Sequence, residues 1–141
     1  MCGYGAIVSQ GEHLHDVLTG QHLTFLQPAD SSGEVLQVEV RLDPGGFVPR
    51  HLHARQDERV EVLSGMLTVK VGRAERRLGV GEVAHVHRRR VHVVRNAGVN
   101  EARFLLEVRP ARHMEGFMRG LFAVINMFRP LARFRRSKGA A

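Results

Sequence analysis

Cysteine, tryptophan and long apolar runs are missing or nearly missing from this sequence of 141 residues. The single cysteine, Cys2, excludes an internal disulfide and any zinc site built from several thiolates. No segment approaches the roughly 20 consecutive apolar residues of a membrane-spanning helix. Residues 1–10 lack the charged start and apolar run of a signal peptide, so we expect a cytoplasmic protein.

Acidic residues are scarce in the C-terminal part of the chain. The net charge is +7, but from Pro110 onward seven basic residues accompany only Glu115, so most of the excess lies there. Residues 1–109 are almost neutral, with 14 basic and 13 acidic residues. Because the body of the chain has no general excess of positive charge, we predict no nucleic-acid partner.

Short alternating apolar segments fill the middle of the chain and predict β-strands. They lie at residues 22–26, 35–42, 59–63, 66–71, 74–78, 83–86, 91–95 and 102–109. Ser64 and Gly65 separate two of these segments and predict a hairpin with a two-residue turn. Many short strands at this spacing favour a sandwich, a jelly roll or a closed barrel.

The pattern changes after Pro110, where apolar residues recur at helical spacing. They form one stripe that comprises Met114, Phe117, Met118, Leu121, Phe122, Ile125 and Phe128. We therefore predict a β-barrel over residues 1–110, an amphipathic helix over 111–130 and a basic flexible tail over 131–141. The favoured interpretation packs the helix on the barrel or on a dimer partner. Membrane-surface contact through the basic tail is the less favoured alternative.

Histidine is abundant, and its placement indicates a metal site. His51 and His53 are two residues apart, which on a strand places both side chains on one face. Glu58 follows five residues later, and His92 lies on a distant predicted strand. Three imidazoles and one carboxylate that converge inside a barrel suit a divalent transition metal, namely Fe, Mn, Ni, Zn or Co. Such a set leaves coordination positions open for water or substrate.

These residues resemble the first motif of the cupin family, G-x5-H-x-H-x(3,4)-E-x6-G. The sequence places Gly45, His51, His53, Glu58 and Gly65 at every fixed position of that motif. A chance match with this composition is roughly a one-in-a-thousand event.

The second cupin motif, G-x5-P-x-G-x2-H-x3-N, is matched in part. Gly81, His92 and Asn96 have the required spacing, while His87 stands at the proline position and Arg89 at the glycine position. Proline and glycine normally shape the turn before the histidine, so these two departures concern the turn and not the ligand.

The resemblance extends over about residues 20–109 and implies an all-β fold. It implies an antiparallel double-stranded β-helix, the jelly-roll cupin barrel, followed here by the C-terminal amphipathic α-helix. It also implies that His51, His53, Glu58 and His92 bind a divalent metal. Barrels of this kind usually pair, so we expect a homodimer formed through the helix and the segment at 22–26.

The function expected from this resemblance is metal-dependent action on a small organic molecule, by Lewis-acid or O2-dependent, dioxygenase-like or isomerase-like chemistry. Val60, Val62 and Val94 are expected to line the cavity, and Glu58 is the candidate catalytic base. The alternative is a non-catalytic protein that binds or senses a small molecule.

Several side chains near the motifs admit two interpretations. Asp57 replaces Glu58 as ligand if the strand register shifts by one residue, although motif spacing favours Glu58. The basic run at residues 88–90 is either a solvated loop or an anion clamp at the cavity entrance. His85 and His87 either add ligands and relay protons, or line the barrel mouth or face solvent.

Overall fold

Ten β-strands make up nearly all of the regular structure in the described part of the chain. The computed structural model describes residues 13–26, 34–112, 114 and 117–121. The strands are β1 (His13–Asp16), β2 (Gln21–Leu26), β3 (Leu36–Leu42), β4 (Phe47–His51), β5 (Asp57–Ser64), β6 (Leu67–Val71), β7 (Ala74–Leu78), β8 (Val83–Val86), β9 (His92–Arg95) and β10 (Ala102–Arg109). Residue 114 and residues 117–121 are helical, and we call them the C-terminal helical segment.

The strands form two antiparallel sheets. The six-stranded sheet has the order β1-β2-β3-β10-β5-β8, and the four-stranded sheet has the order β4-β9-β6-β7. Strands that are distant in sequence lie next to each other, as β3 and β10 do. This arrangement confirms the predicted all-β jelly roll.

One apolar core lies between the sheets and follows from strand alternation. In β3 the side chains of Leu36, Val38, Val40 and Leu42 are buried, while the three residues between them are only partly buried. Alternate residues of a strand point to opposite faces, so this pattern directs one face of β3 into the core. The same alternation buries one face of β10, namely Ala102, Phe104, Leu106 and Val108.

The predicted strands are found within about two residues of their expected bounds, but one predicted connection is wrong. Ser64 and Gly65 do not close a hairpin, because β5 and β6 belong to different sheets. β5 pairs with β10 on one edge and with β8 on the other, so no edge remains for β6. The hairpin that does form joins β6 to β7 through Gly72 and Arg73. Neither β1 nor β4 is among the predicted segments.

The C-terminal helical segment lies against the barrel. Met114 is buried within the core cluster, and Met118 packs against that cluster. The guanidinium of Arg119 lies over the ring of Phe25, with 4.7 Å between its carbon and the ring centroid. Phe122, Ile125, Phe128 and residues 131–141 lie outside the described residues.

No helix in the described part of the chain is long and apolar enough to cross a bilayer. The membrane-surface alternative concerns the basic residues at 131–141, and these lie outside the described part.

Gly65 forms the corner where the chain passes from one sheet to the other, and we expect it to resist substitution. Its φ is +76°, and an added Cβ would lie 2.9 Å from the carbonyl oxygen of Glu101 and 3.0 Å from Cα of Ala102. Gly72 has a similar φ of +58°, but nothing lies within 4 Å of its Cβ position. It is therefore a matched control for the cost of backbone conformation alone.

We expect Gly72→Ala to lower the free energy of unfolding by about 1 kcal/mol, because the left-handed strain exceeds the stabilisation that comes from the lower entropy of the unfolded chain. Gly65→Ala should cost at least about 1 kcal/mol more, because backbone atoms of β10 must shift as well. Urea denaturation of both variants measures the difference. Equal losses of unfolding free energy in the two variants would show that the approach of β10 to Gly65 does not constrain the corner.

Candidate metal centre

The four predicted ligands come from both sheets and meet inside the barrel. His51 is the last residue of β4, and His92, the first residue of β9, lies directly opposite it. Glu58 is the second residue of β5 in the other sheet. His53 follows β4 and is not part of it, so the prediction that both histidines share a strand face is wrong in detail. The structure nonetheless brings all four side chains together.

The distances among the four side chains suit ligands of one ion. Nε2 of His53 lies 2.6 Å from Oε1 of Glu58, and Nε2 of His92 lies 3.1 Å from Oε2. The ring of His51 has its centroid 4.2 Å from that of His92 and 4.7 Å from that of His53. One donor atom from each residue lies within 4.8 Å of the other three.

Backbone carbonyls select the tautomers of two of the histidines. Nδ1 of His51 donates to the carbonyl oxygen of Pro49 at 2.6 Å, and Nδ1 of His92 donates to that of Arg90 at 2.9 Å. In a neutral ring this leaves the lone pair on Nε2, where a metal ligand needs it. Metal-ligating histidines usually donate their other ring N–H in this way.

The site is buried, and the pKa values of its side chains depend on one another. Glu58 is only 6% exposed and His92 only 2%. Burial alone would raise the pKa of Glu58, but the imidazoles of His53 and His92 outweigh it and hold that pKa at about 2. Burial lowers the pKa of His51, whereas for His92 the Glu58 carboxylate outweighs burial and raises the pKa. The carboxylate is therefore ionised at neutral pH.

An unsatisfied nitrogen supports the fit of a metal ion. Nε2 of His53 is buried and has no hydrogen-bond partner, although Oε1 of Glu58 is close, because the angles do not suit a hydrogen bond. Buried polar atoms are seldom left unpaired in folded proteins. A buried imidazole nitrogen and a carboxylate oxygen that face each other without a hydrogen bond leave room for a cation, and imidazoles with a carboxylate are the donors that divalent transition metals accept.

A cavity of about 260 Å³ opens onto the four ligands. Val60 and Val94 line it as predicted, while Val62 is buried in the core outside its wall. The other lining residues are Gln21, Leu23, Val40, Val48, Pro49, Leu52, Phe104, Leu106, Met114, Phe117, Met118 and Leu121. Four of them belong to the C-terminal helical segment, which thus forms part of the cavity wall.

Backbone and side-chain contacts fix the turn before His92, which carries the two motif departures. Arg89 adopts a φ of +65° at the glycine position, and its N–H donates to the carbonyl oxygen of His53 at 2.7 Å. Arg88 binds Asp57 through its N–H at 2.8 Å and through its guanidinium at 3.0 Å. These contacts hold the turn in place of the proline and the glycine.

The alternatives left by the sequence are resolved for three groups. Glu58 points into the site, while Asp57 points outward, where Arg88 lowers its pKa to about 2. The arginines at 88–90 are exposed and do not line the described cavity, which favours the solvated loop. His85 and His87 are exposed and lie outside the ligand group.

Some contributors to the site could not be found from sequence patterns. The carbonyls of Pro49 and Arg90 carry no side-chain signal, and Gln21 lies on a strand far from either motif. Asn96 of the second motif is a structural residue, because its amide donates to the carbonyls of Leu42, Asp43 and Asn100. For the helical residues that line the cavity, the one signal in the sequence is the helical spacing of the apolar stripe that begins at Met114.

Arg89 holds a strained conformation that glycine would relieve. We expect Arg89→Gly to raise the free energy of unfolding by up to about 1 kcal/mol, since removed strain of about 1–2 kcal/mol exceeds the entropic cost of glycine. Arg90→Gly, at a position without positive φ, should lower it by about 0.5–1 kcal/mol. Thermal and urea unfolding compare the two. Destabilisation of both variants to the same degree would contradict the assigned strain.

Comparison with known proteins supports the fold. The family model of the cupin domain matches residues 38–108, which is just over half of the chain. KdgF from Halomonas sp. is similar, with a TM-score of 0.63 and 20% identity over 74% of this chain and 91% of that one. A protein from Thermus thermophilus has 28% identity and a TM-score of 0.56, over 62% and 83% of the two chains.

A third similar structure is a sugar phosphate isomerase of the cupin superfamily from Silicibacter pomeroyi DSS-3. It has 24% identity and a TM-score of 0.63 over 70% of each chain. No curated protein matches the sequence. The matched segment contains all four clustered ligands and strands of both sheets, and the chain belongs to the cupin family.

Proposed function

We propose that this protein is a metal-dependent enzyme that acts on a small, neutral, largely apolar organic molecule. The observation that carries the proposal is the position of three imidazoles and one carboxylate at an otherwise apolar cavity. The alternative is a protein that binds such a molecule without turning it over.

His51, His53, Glu58 and His92 would hold the metal, which when bound supplies Lewis-acid or O2-dependent chemistry. The carbonyls of Pro49 and Arg90 orient two of the rings, so little rearrangement is needed before binding. Glu58 is ionised at neutral pH and is the candidate to accept a proton from the substrate at a carboxylate oxygen.

The cavity wall favours a neutral substrate. Among the described lining residues, Gln21 is the one polar side chain besides the four ligands. A phosphate or free carboxylate needs cationic or N–H partners when it leaves water. The neighbour from Silicibacter pomeroyi is named a sugar phosphate isomerase, and apart from the metal and its four ligands a phosphorylated sugar would find no lysine or arginine in the described wall here. An aromatic, enol or keto compound fits this lining better.

The C-terminal helical segment is expected to exclude water from the site. Its apolar side chains line the cavity, and one contact anchors its start: Gln56 donates from Nε2 to the carbonyls of Pro110 and Ala111, both at 2.9 Å. Gln56 lies between the ligands His53 and Glu58, so the cover is attached to the loop that carries the site.

Metal analysis of protein purified without chelator and without nickel affinity tests the proposal. After dialysis against metal-free buffer, we expect one ion per chain in the wild type and none in His51→Ala or His92→Ala, since each variant removes one ligand of four. His85→Ala removes an exposed histidine outside the group and should retain the ion.

The same preparation then enters a substrate screen that compares neutral keto and enol compounds with phosphorylated sugars. Turnover of a neutral compound that His92→Ala abolishes would support the enzyme. Loss of the ion in neither ligand variant would overturn the metal centre. Preferred turnover of a phosphorylated sugar would overturn the substrate class and leave the metal centre intact.

Removal of the Gln56 anchor should loosen the cover. Gln56→Ala leaves two carbonyls without their donor, at a cost of about 1–3 kcal/mol if both stay buried. We expect faster proteolysis after Pro110 and weaker ligand retention in the cavity. Gln37→Ala, which removes one contact to Glu107 on the outer face, is the control and should leave both unchanged. Identical proteolysis of the two variants would contradict the anchor.

The binding alternative rests on the contact between the helical segment and the cavity. A ligand in the cavity would touch Met114 and Met118, so occupancy would change the stability of the segment. A ligand-dependent change in proteolysis without any product would favour this alternative, and measured turnover would exclude it.

A further inference from the structure

Positive charge on the strands is concentrated in the four-stranded sheet. Besides histidine, its strands carry one acidic residue, Glu75, and five basic residues, namely Arg50, Lys70, Arg76, Arg77 and Arg95. The strands of the six-stranded sheet carry six acidic residues and four arginines. The fold therefore separates the almost neutral residues 1–109 into a basic sheet and an acidic one.

The two sheets also differ in how their basic side chains are paired. Each of the four arginines on the strands of the six-stranded sheet forms an ion pair, and the pairs are Arg41–Glu101, Arg59–Glu61, Arg103–Glu39 and Arg109–Glu107. In the described part of the chain, none of the five basic residues of the four-stranded sheet forms an ion pair. This holds even for Lys70, which lies directly opposite Glu75.

Three of these unpaired cations surround a pocket on the outer face of the four-stranded sheet. We call it the outer basic pocket. Its volume is about 330 Å³, and Arg50, Lys70 and Arg95 line it together with the single carboxylate of Glu75. The half-buried part of its wall consists of Phe47, Thr68, Val91 and Val93. A pocket of this size, with an apolar floor and charged groups around it, accepts a small molecule.

The pairing of the strands places two of the cations and a hydroxyl on one face. Arg95 of β9 lies directly opposite Thr68 of β6, and Lys70 is two residues further along β6. Such diagonal neighbours are about 7–8 Å apart, a distance that long side chains span. The guanidinium carbon of Arg95 lies 5.7 Å from the centroid of the Phe47 ring, a contact that restrains the arginine at the pocket.

We propose that the outer basic pocket binds a small organic phosphate monoester. A phosphate monoester carries nearly two negative charges and three strong acceptor oxygens at neutral pH. Its oxygens accept from Lys70, from Arg95 and from the Thr68 hydroxyl, while the organic part lies on the apolar floor. Charged donors of this kind form short, strong hydrogen bonds with phosphate. A cleft lined mostly by one sign of charge also raises the local concentration of counter-ions.

The outer basic pocket is separate from the cavity at the candidate metal centre. Because neighbouring residues of a strand face opposite sides, β9 directs Arg95 to the outer pocket and Val94 to the inner cavity. Pro49 and His92 line both spaces, so a shared wall divides them. The phosphate is therefore bound without the metal, and the proposal goes beyond the proposed function.

Calorimetric titration of the full chain with phenyl phosphate tests the pocket. We expect the dissociation constant to rise about tenfold or more in Lys70→Gln and in Arg95→Gln, because each variant removes a charged donor. It should fall in Glu75→Gln, because a carboxylate that repels the phosphate is removed. The three side chains are exposed, so the variants should keep the fold. Arg59→Gln, which removes the same charge from the other sheet, should leave the dissociation constant unchanged.

Equal dissociation constants in the wild type, Lys70→Gln and Arg95→Gln would overturn the outer basic pocket. His53→Ala removes a proposed metal ligand that does not line this pocket, so it should bind phenyl phosphate as the wild type does. Loss of binding in His53→Ala but not in Arg95→Gln would assign the phosphate to the metal centre and would also overturn the pocket. Absence of a metal in the wild type would overturn only the proposed function.

A polyanionic partner is the remaining alternative for a basic face. A single-stranded oligonucleotide, titrated under the same conditions, should bind no more tightly than phenyl phosphate. Tighter binding of the oligonucleotide, lost in Lys70→Gln and Arg95→Gln, would overturn the small ligand in favour of a nucleic acid.

Discussion

The buried carboxylate of Glu58 is the charge around which the interior of the barrel is arranged. Removing an ion from water costs several kcal/mol unless partners compensate, and here imidazoles supply the compensation. Because Glu58 belongs to one sheet and His92 to the other, their contact also joins the two sheets. Polar chemistry as well as apolar packing therefore determines how closely the sheets approach at this end of the barrel.

The chain from residue 53 to residue 58 connects this charge to two other parts of the structure, the turn before His92 and the C-terminal helical segment. The carbonyl of His53 receives the N–H of Arg89, Gln56 anchors the start of the helical segment, and Asp57 holds Arg88. This stretch of six residues ends at Glu58 itself. The ligand set, the turn before His92 and the cover of the cavity thus depend on six consecutive residues, and a shift in that loop would move all of them together.

Local patterns predicted the strands well and their pairing poorly. Alternation in β3 and β10 is visible in the sequence, because it reflects which face is buried. The partition into sheets is not, because β5 pairs with strands that are distant along the chain rather than with the strand that follows Gly65. A two-residue turn is compatible with a hairpin or with a corner, and long-range pairing decides between them.

The site divides in the same way into features that the sequence predicts and features that depend on tertiary structure. Motif spacing predicted the four side chains that cluster, since side-chain type and separation carry that information. It did not identify the carbonyls that orient His51 and His92, because these contacts arise from tertiary structure. The sequence also does not indicate the left-handed backbone at Arg89, because neighbouring contacts impose a conformation that arginine does not favour.

The origin of the four clustered side chains in both sheets has a consequence for the stability of the fold. An ion bound by β4, β5 and β9 would cross-link the layers and would be lost when they separate. Binding to the folded state alone would then add stability by mass action, about 2.7 kcal/mol when free metal is 100 times its dissociation constant. The supply of metal in the surroundings would thus set the fraction of molecules that is folded.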